Sequence, residues 1–385
     1  MDVDEVRKSF PALGSGLARF DGPGGSLVPR QVAHAVAAAM GSGMCQRGSA
    51  SEPDRLTEAT TVAAREAMAR LLGADPRGIV FGRSMTALTF DLARTLTSGW
   101  GPGDEVVVTR LDHDANIRPW VTAAERAGAT VRWLGFDPVT AELDDARPLL
   151  TDRTRLVAVT AASNLFGTRP DVAAVVAAAH EVGALVHVDA VHLVPHAPVD
   201  LGALEADFLT CSPYKFFGPH LGVLAAAPAL LESLHPDKLL PSSAAVPERF
   251  ELGTLPYELL AGVSAAVGFI ESCGGMGAVE AHEAALLGRL LAGLADLRRV
   301  AVHGRPTRRT PTVLLGVDGI APDEVTRRLA ADKVVAPAGC FYAIEASRHA
   351  GLGDAGGVRV GLSAYTSDDD VDRLLAALEA VATSR

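Results

Sequence analysis

The sequence predicts an α/β protein built on a mostly parallel seven-stranded sheet, with a smaller α/β domain towards the C-terminus. Three observations carry that expectation. Short β-branched and apolar runs alternate with longer amphipathic stretches through residues 54–226. The runs are apolar throughout, as in strands covered on both faces. Residues able to do chemistry fall at or just past the C-terminal ends of those runs, where open α/β sheets bind their ligands.

The elements follow in order. Residues 54–72 read as an amphipathic helix, with Pro53 in its first turn and Gly73 as its stop. Residues 79–81 form a short strand, and Ser84 opens the next helix. Strands are expected at 105–109, 130–134, 156–160, 184–189, 207–211 and 221–226, with helices at 117–127 and 171–182. Past Pro256 the pattern changes. Helices at 257–272 and 278–297 precede strands at 312–317 and 358–362, and helices at 323–331 and 368–382, the last opened by Ser367. We expect a large domain over 18–264 and a small one over 265–385, which also takes in residues 1–17.

Composition narrows the function classes. With 385 residues, 48% of them apolar, the chain can bury a core large enough for two domains. Its net charge of −11 argues against nucleic-acid binding, which needs clustered cations. The four cysteines, Cys45, Cys211, Cys273 and Cys340, have no paired spacing, so neither a zinc site nor a disulfide framework is expected. No basic region followed by an apolar run opens the chain, and the apolar stretches are too often interrupted to span a bilayer. The expectation is a cytoplasmic protein. Gly14-Ser15-Gly16 follows no strand and completes no dinucleotide fingerprint, and no Walker-type phosphate loop is present.

Lysine occurs only at Lys8, Lys215, Lys238 and Lys333. Lys215 follows an apolar strand and is flanked by Tyr214, Phe216 and Phe217, a poor place for a freely solvated ammonium. Two readings are open. It snorkels over an apolar rim, or it is a Schiff-base lysine whose amine becomes nucleophilic because burial lowers its pKa. Asp189 ends the strand at 184–189. It is either a helix N-cap or the anionic partner of a pyridine nitrogen. In the second role it keeps the ring protonated, and the cationic ring withdraws electrons from a substrate Cα.

Val188-Asp189-Ala190-Val191-His192, joined to Ser212-Pro213-Tyr214-Lys215, resembles the class V aminotransferase family of fold-type I pyridoxal-phosphate (PLP) enzymes. The nearest branch is the cysteine-desulfurase-like one, and the resemblance runs from about Phe20 to the last helix. It implies a PLP cofactor on Lys215, an amino-acid substrate and a homodimer with shared active sites. Ser84-Met85-Thr86 matches the family's phosphate site, and a helix N-terminus with free N–H groups is a sound anion cup. Ser212 and Tyr214 match further phosphate-binding positions. His113, in Asp112-His113-Asp114-Ala115-Asn116, matches the histidine that stacks on the pyridine ring. Asn164 matches the residue bonded to the phenolic oxygen. Thr254, in Phe250-Glu251-Leu252-Gly253-Thr254, matches a residue that reaches the neighbouring subunit's phosphate. Arg359 matches the arginine that holds the substrate carboxylate, a task suited to a guanidinium fork, and Arg47 matches an arginine of an active-site loop. Without the resemblance these are ordinary residues: Ser84 an N-cap, His113 a loop histidine, Asn164 a turn former, Arg359 a strand arginine.

Two departures bear on the reaction. His192 stands where desulfurases carry Gln, and it could share a proton or act as acid or base. Tyr342 stands where they carry the cysteine that attacks sulfur, and Cys340 lies two residues earlier. Cys340 is either a displaced nucleophile or a small packed residue. Lys215, displaced by the substrate amine, is the expected base for the Cα proton, with His113 and His192 as further catalytic candidates. We therefore expect a C–S lyase that eliminates sulfur from Cβ of cysteine or an S-substituted cysteine. The alternatives are a desulfurase using Cys340, another reaction at Cα (transamination, epimerisation, or decarboxylation with oxidative deamination), and a PLP-binding protein without turnover. No metal is expected.

Overall fold

The computed structural model describes residues 1–383. A seven-stranded sheet lies at its centre, in the spatial order Ile79–Gly82, Gly222–Ala226, Phe208–Cys211, Leu185–Asp189, Thr154–Thr160, Glu105–Thr109, Thr130–Leu134. Gly222–Ala226 runs antiparallel to both its neighbours, and every other pairing is parallel. Parallel register brings the strand ends into line: Thr160 sits beside Asp189, and Asp189 beside Thr210.

Alternation along the strands builds a core on each face. Val107, Val157, Val159, Val186 and Val188 face a core shared with the helices Glu52–Leu72, Val172–Glu181 and Tyr257–Ser272. Val106, Val108, Leu156 and Ala158 face the other, with Leu88 and Leu92 from Met85–Thr97 and Trp120 and Val121 from Arg118–Ala127. Strands buried on both sides read as continuous apolar runs, which is why they were visible in the sequence.

Residues 300–361 form a four-stranded antiparallel sheet in the order Ala338–Gly339, Gly357–Gly361, Thr312–Val317, Val300–His303. Its core takes Leu286 and Leu290 from Gly275–Asp296, Val325 and Leu329 from Pro322–Ala331, and Val371 and Leu374 from Asp368–Thr383. The N-terminal segment is divided between the two cores. Val6 and Phe10 pack under the large sheet, whereas Ala18 and Phe20 belong to the smaller one. Arg7 Nη1 ties the first helix to Asp370 at 2.6 Å.

The long helix starts earlier than its apolar pattern suggests. Ser51 is the N-cap, in a reciprocal capping box with Asp54. Gly73 closes it with φ of +60°, where a Cβ would lie 2.7 Å from the Asp200 carboxylate. The helix Arg30–Met40 was not foreseen; Val32 is its only buried residue. Among the described residues no single helix is long and apolar enough to cross a membrane.

Candidate active site

Lys215 closes a turn, Pro213–Lys215, just past the strand Phe208–Cys211. The turn is held from below. Phe216 and Phe217 are buried, and Phe217 packs edge-on against Phe10 and Phe269 at 5.6 and 5.4 Å between centroids. Lys215 Nζ donates to the Pro23 carbonyl at 2.5 Å and lies 4.9 Å from the Tyr214 ring centroid. Burial pulls its pKa down to about 7; Arg359 adds to the fall and Asp189 opposes it.

Asp189 ends its strand 4% exposed, with one oxygen accepting from the Val191 N–H at 2.9 Å. Burial raises its carboxyl to about 6, against the pull of that N–H and of Lys215. His113 accepts the Ala115 N–H on Nδ1 at 3.0 Å, so the neutral ring carries its proton on Nε2. Burial and Lys215 lower it to about 4, which keeps it neutral at pH 7.

Beneath these groups lies a buried polar network that sequence reasoning missed. Asp112 accepts from the Thr109 hydroxyl, from the Thr160 N–H at 3.0 Å and from Asn116 Nδ2 at 2.6 Å. Asn116 Oδ1 in turn meets Trp120 Nε1 at 3.2 Å and His187 Nδ1 at 2.8 Å. The network thus binds three neighbouring strands near the site. Burial pushes the Asp112 carboxyl up to about 8. Asp112 was in view as part of a motif, but nothing in the sequence distinguishes a buried aspartate from a loop one.

Asn164 Nδ2 donates to the Phe341 carbonyl at 2.8 Å, while its buried Oδ1 has no partner. Arg359, on the strand Gly357–Gly361, is 4% exposed. Its Nη1 donates to the Asn164 carbonyl at 2.9 Å, its Cζ lies 3.7 Å from the Phe341 ring centroid, and its Nε has no partner. Burial lowers this guanidinium to about 9, still a cation at neutral pH. A buried cation held only by a carbonyl and an aromatic face is costly unless an anion joins it. His192 is buried, its Nε2 2.9 Å from Thr312 Oγ1 and its ring edge-on to His196 at 5.4 Å. Burial and the cations around it hold His192 well below its ordinary pKa.

The helix Met85–Thr97 supplies an anion cup. Ser84 caps it, its hydroxyl accepting the Ala87 N–H at 3.1 Å. The Met85 and Thr86 N–H groups, ahead of the first helical bonds, remain for a ligand. Gly222 lets the antiparallel strand approach this helix start, because a Cβ there would lie 2.1 Å from the Ser84 carbonyl carbon.

A cavity of about 600 Å³ joins these parts. Of the residues expected from sequence, Met85, Thr86, His113, Asn164, Asp189, His192, Tyr214, Lys215 and Arg359 line it. Ser84 adjoins it as the helix cap, and Ser212 is buried beneath, its carbonyl accepting the Lys215 N–H at 3.0 Å. Two are not brought there. Arg47 is spent on Glu58 and Glu248, at 2.8 and 2.9 Å. Thr254 is exposed on its own chain's surface, away from the cavity. Phe341 and Phe90 also line the cavity and were not anticipated; Tyr342, noted at the position of the desulfurases' cysteine, lines it too, while Cys340 does not.

The chain matches the family described as Aminotransferase class-V over residues 19–374. It is 35% identical to the uncharacterized protein MT3887 of Mycobacterium tuberculosis, covering 98% of each chain. It is 34% identical to a probable cysteine desulfurase 2 of Mycobacterium leprae, covering 98% of this chain and 96% of that one. The apo structure of a cysteine desulfurase from Thermococcus onnurineus superimposes with a TM-score of 0.91 at 26% identity, over 98% of both chains.

Proposed function

The chain belongs to the aminotransferase class-V family, and on that premise we propose that it is a PLP-dependent enzyme that cleaves the C–S bond of cysteine or an S-substituted cysteine. The residues fit the cofactor. An anion cup at Met85 and Thr86, capped by Ser84, suits the phosphate, and Tyr214 lines the same cavity. Asp189 suits a ring nitrogen, the flat face of neutral His113 suits the ring, and Asn164 keeps a second N–H for the phenolic oxygen. Bound there, PLP would supply an electron sink that loosens the bonds at Cα.

The protein's own groups do the rest. Arg359 holds the substrate carboxylate, for which its unpartnered Nε is a ready donor. Lys215, with its amine near neutrality at pH 7, takes the Cα proton. His192 stays neutral and presents a hydrogen-bonding edge to the cavity. The Cβ–S bond then breaks, and the sulfur leaves with the electron pair. A second copy of the chain would complete the site through Thr254, which makes the working unit a homodimer. Four free cysteines suit a reducing compartment, and we place the enzyme in the cytoplasm.

One observation favours elimination over persulfide transfer: Phe341 and Tyr342 face the cavity and Cys340 does not. The relatives named as desulfurases favour the second reading, in which Cys340 takes the sulfur. Product analysis separates them. The PLP-loaded enzyme is given cysteine and S-substituted cysteines. Pyruvate, ammonium and free thiol are expected, at rates that Cys340→Ala leaves unchanged. Alanine with a protein-bound persulfide, lost in Cys340→Ala, would establish the desulfurase instead. If neither set of products forms, sulfur chemistry on these substrates is ruled out.

A further inference from the structure

The loop that carries Phe341 and Tyr342 has strained backbone. Their φ values are +53° and +59°, a left-handed region that large side chains disfavour. Such strain persists only where surrounding contacts over-determine it. For Phe341 those contacts are plain: the ring on Arg359 and the carbonyl on Asn164. For Tyr342 the carbonyl accepts the Asp114 N–H at 2.7 Å, yet the residue is 76% exposed. One face of its ring leans on His113, with centroids 5.5 Å apart and planes at 29°. The other face is open at the mouth of the cavity. Phe90, 36% exposed on the helix Met85–Thr97, lines the same mouth.

Charge is distributed unevenly over this cavity. The cations on its floor, Lys215 and Arg359, suit the polar end of an amino acid. At the mouth, Arg118 is already tied to Asp114 at 2.8 Å and to Glu345 at 3.5 Å. A charged tail therefore finds no free counter-charge there among the described lining residues, whereas a flat apolar group finds the exposed rings of Tyr342 and Phe90, with Phe341 packed on Arg359 in the same cavity.

We propose that Tyr342, with Phe90 and Phe341, selects cysteine thioethers whose sulfur carries an aryl or arylalkyl group. The inference rests on the C–S cleavage reading above and narrows its substrate class. The net reaction takes the thioether and water to the aromatic thiol, pyruvate and ammonium. The Cα–H and Cβ–S bonds break, the sulfur keeps the electron pair and gains a proton, and no oxidant or reductant is needed.

The test compares S-benzyl-cysteine with S-methyl-cysteine on the PLP-loaded enzyme, by kcat/KM for thiol release and by calorimetric binding. The benzyl compound is expected to be favoured by up to about tenfold, the order that stacking on aromatic side chains supplies. Tyr342→Phe should keep that preference and Tyr342→Ala should lose most of it, both variants retaining bound PLP. Equal kcat/KM for the two compounds, or a preference untouched by Tyr342→Ala, would overturn the proposal and leave C–S cleavage standing. If neither compound is cleaved, and cysteine is not cleaved either, the reading of function fails and binding decides the inference alone. Benzyl binding about tenfold tighter, lost in Tyr342→Ala, supports an aromatic mouth; equal binding refutes it.

Discussion

Lys215 and Tyr342 line one cavity, yet they are held in opposite ways. Lys215 sits on a turn anchored by buried Phe216 and Phe217, beside the ends of strands whose register aligns Thr160, Asp189 and Thr210. Tyr342 stands largely exposed on a loop whose backbone is strained at two consecutive residues. The floor draws its precision from packing against the sheet, and the mouth from a few hydrogen bonds that hold an awkward conformation. Chemistry shared across a family belongs to the first kind of place. Selection among side chains suits the second, because loops vary while the scaffold stays fixed.

The floor is where substitution should do most. Lys215→Ala removes both the cofactor's covalent anchor and the base, so the Schiff-base absorbance should be lost and turnover fall about 10³-fold or more. Lys238→Ala, which alters an exposed lysine bonded to the Ser242 carbonyl, should change neither. Absorbance spectra and steady-state rates check both. If Lys238→Ala loses the absorbance and Lys215→Ala keeps it, the floor has been misassigned.

Arg359→Ala should raise KM about 100-fold, as loss of one partner in a buried charged pair does. Arg359→Lys should recover little, because a point charge does not reproduce the fork. Kinetics with a cysteine thioether and with its decarboxylated amine sharpen this result. The amine should be equally poor for wild type and variant, and a variant that still discriminates between them would move the carboxylate elsewhere.

Asp112→Ala probes the support under the floor. It strands the Thr109 hydroxyl, the Thr160 N–H and Asn116 Nδ2 inside the protein, and should cost about 3 kcal/mol in urea unfolding. A loss below about 0.5 kcal/mol, the range of an ordinary surface substitution, would show that these donors find water and that the network does not brace the strands.

The smallest effect concerns pH. An amine attacks an aldehyde only when neutral, and the Lys215 pKa is lowered from 10.5 to about 7 by burial and Arg359. Capture of PLP by the apoenzyme should therefore be flat above about pH 7 and slow by about tenfold for each unit below it. Stopped-flow absorbance across pH 5–9 reads this directly. A rate still climbing through pH 9 would mean that Lys215 is solvated.

The same contrast explains what could be read from the sequence. Strands buried on both faces leave uninterrupted apolar runs, so residues at their ends, such as Asp189 and Lys215, could be placed before any coordinates. The buried network of Asp112, Asn116 and His187 could not, because a polar residue's burial is decided by packing across strands far apart in sequence. Arg47 was expected near the substrate, but Glu248, some 200 residues later, sits where it can take the guanidinium. The strain at Phe341 and Tyr342 left no trace either, since no glycine marks those two positions. Gly222 did leave a letter, though not the reason for it, which is the close approach of Ser84.

The central claim is that the cofactor is carried by Lys215. Borohydride reduction of the PLP-loaded enzyme, followed by digestion and peptide mass spectrometry, tests it most directly. A stable pyridoxyl group is expected on the peptide containing Lys215 and on no other. The label on Lys8, Lys238 or Lys333, or no label on a protein shown to bind PLP, would contradict it.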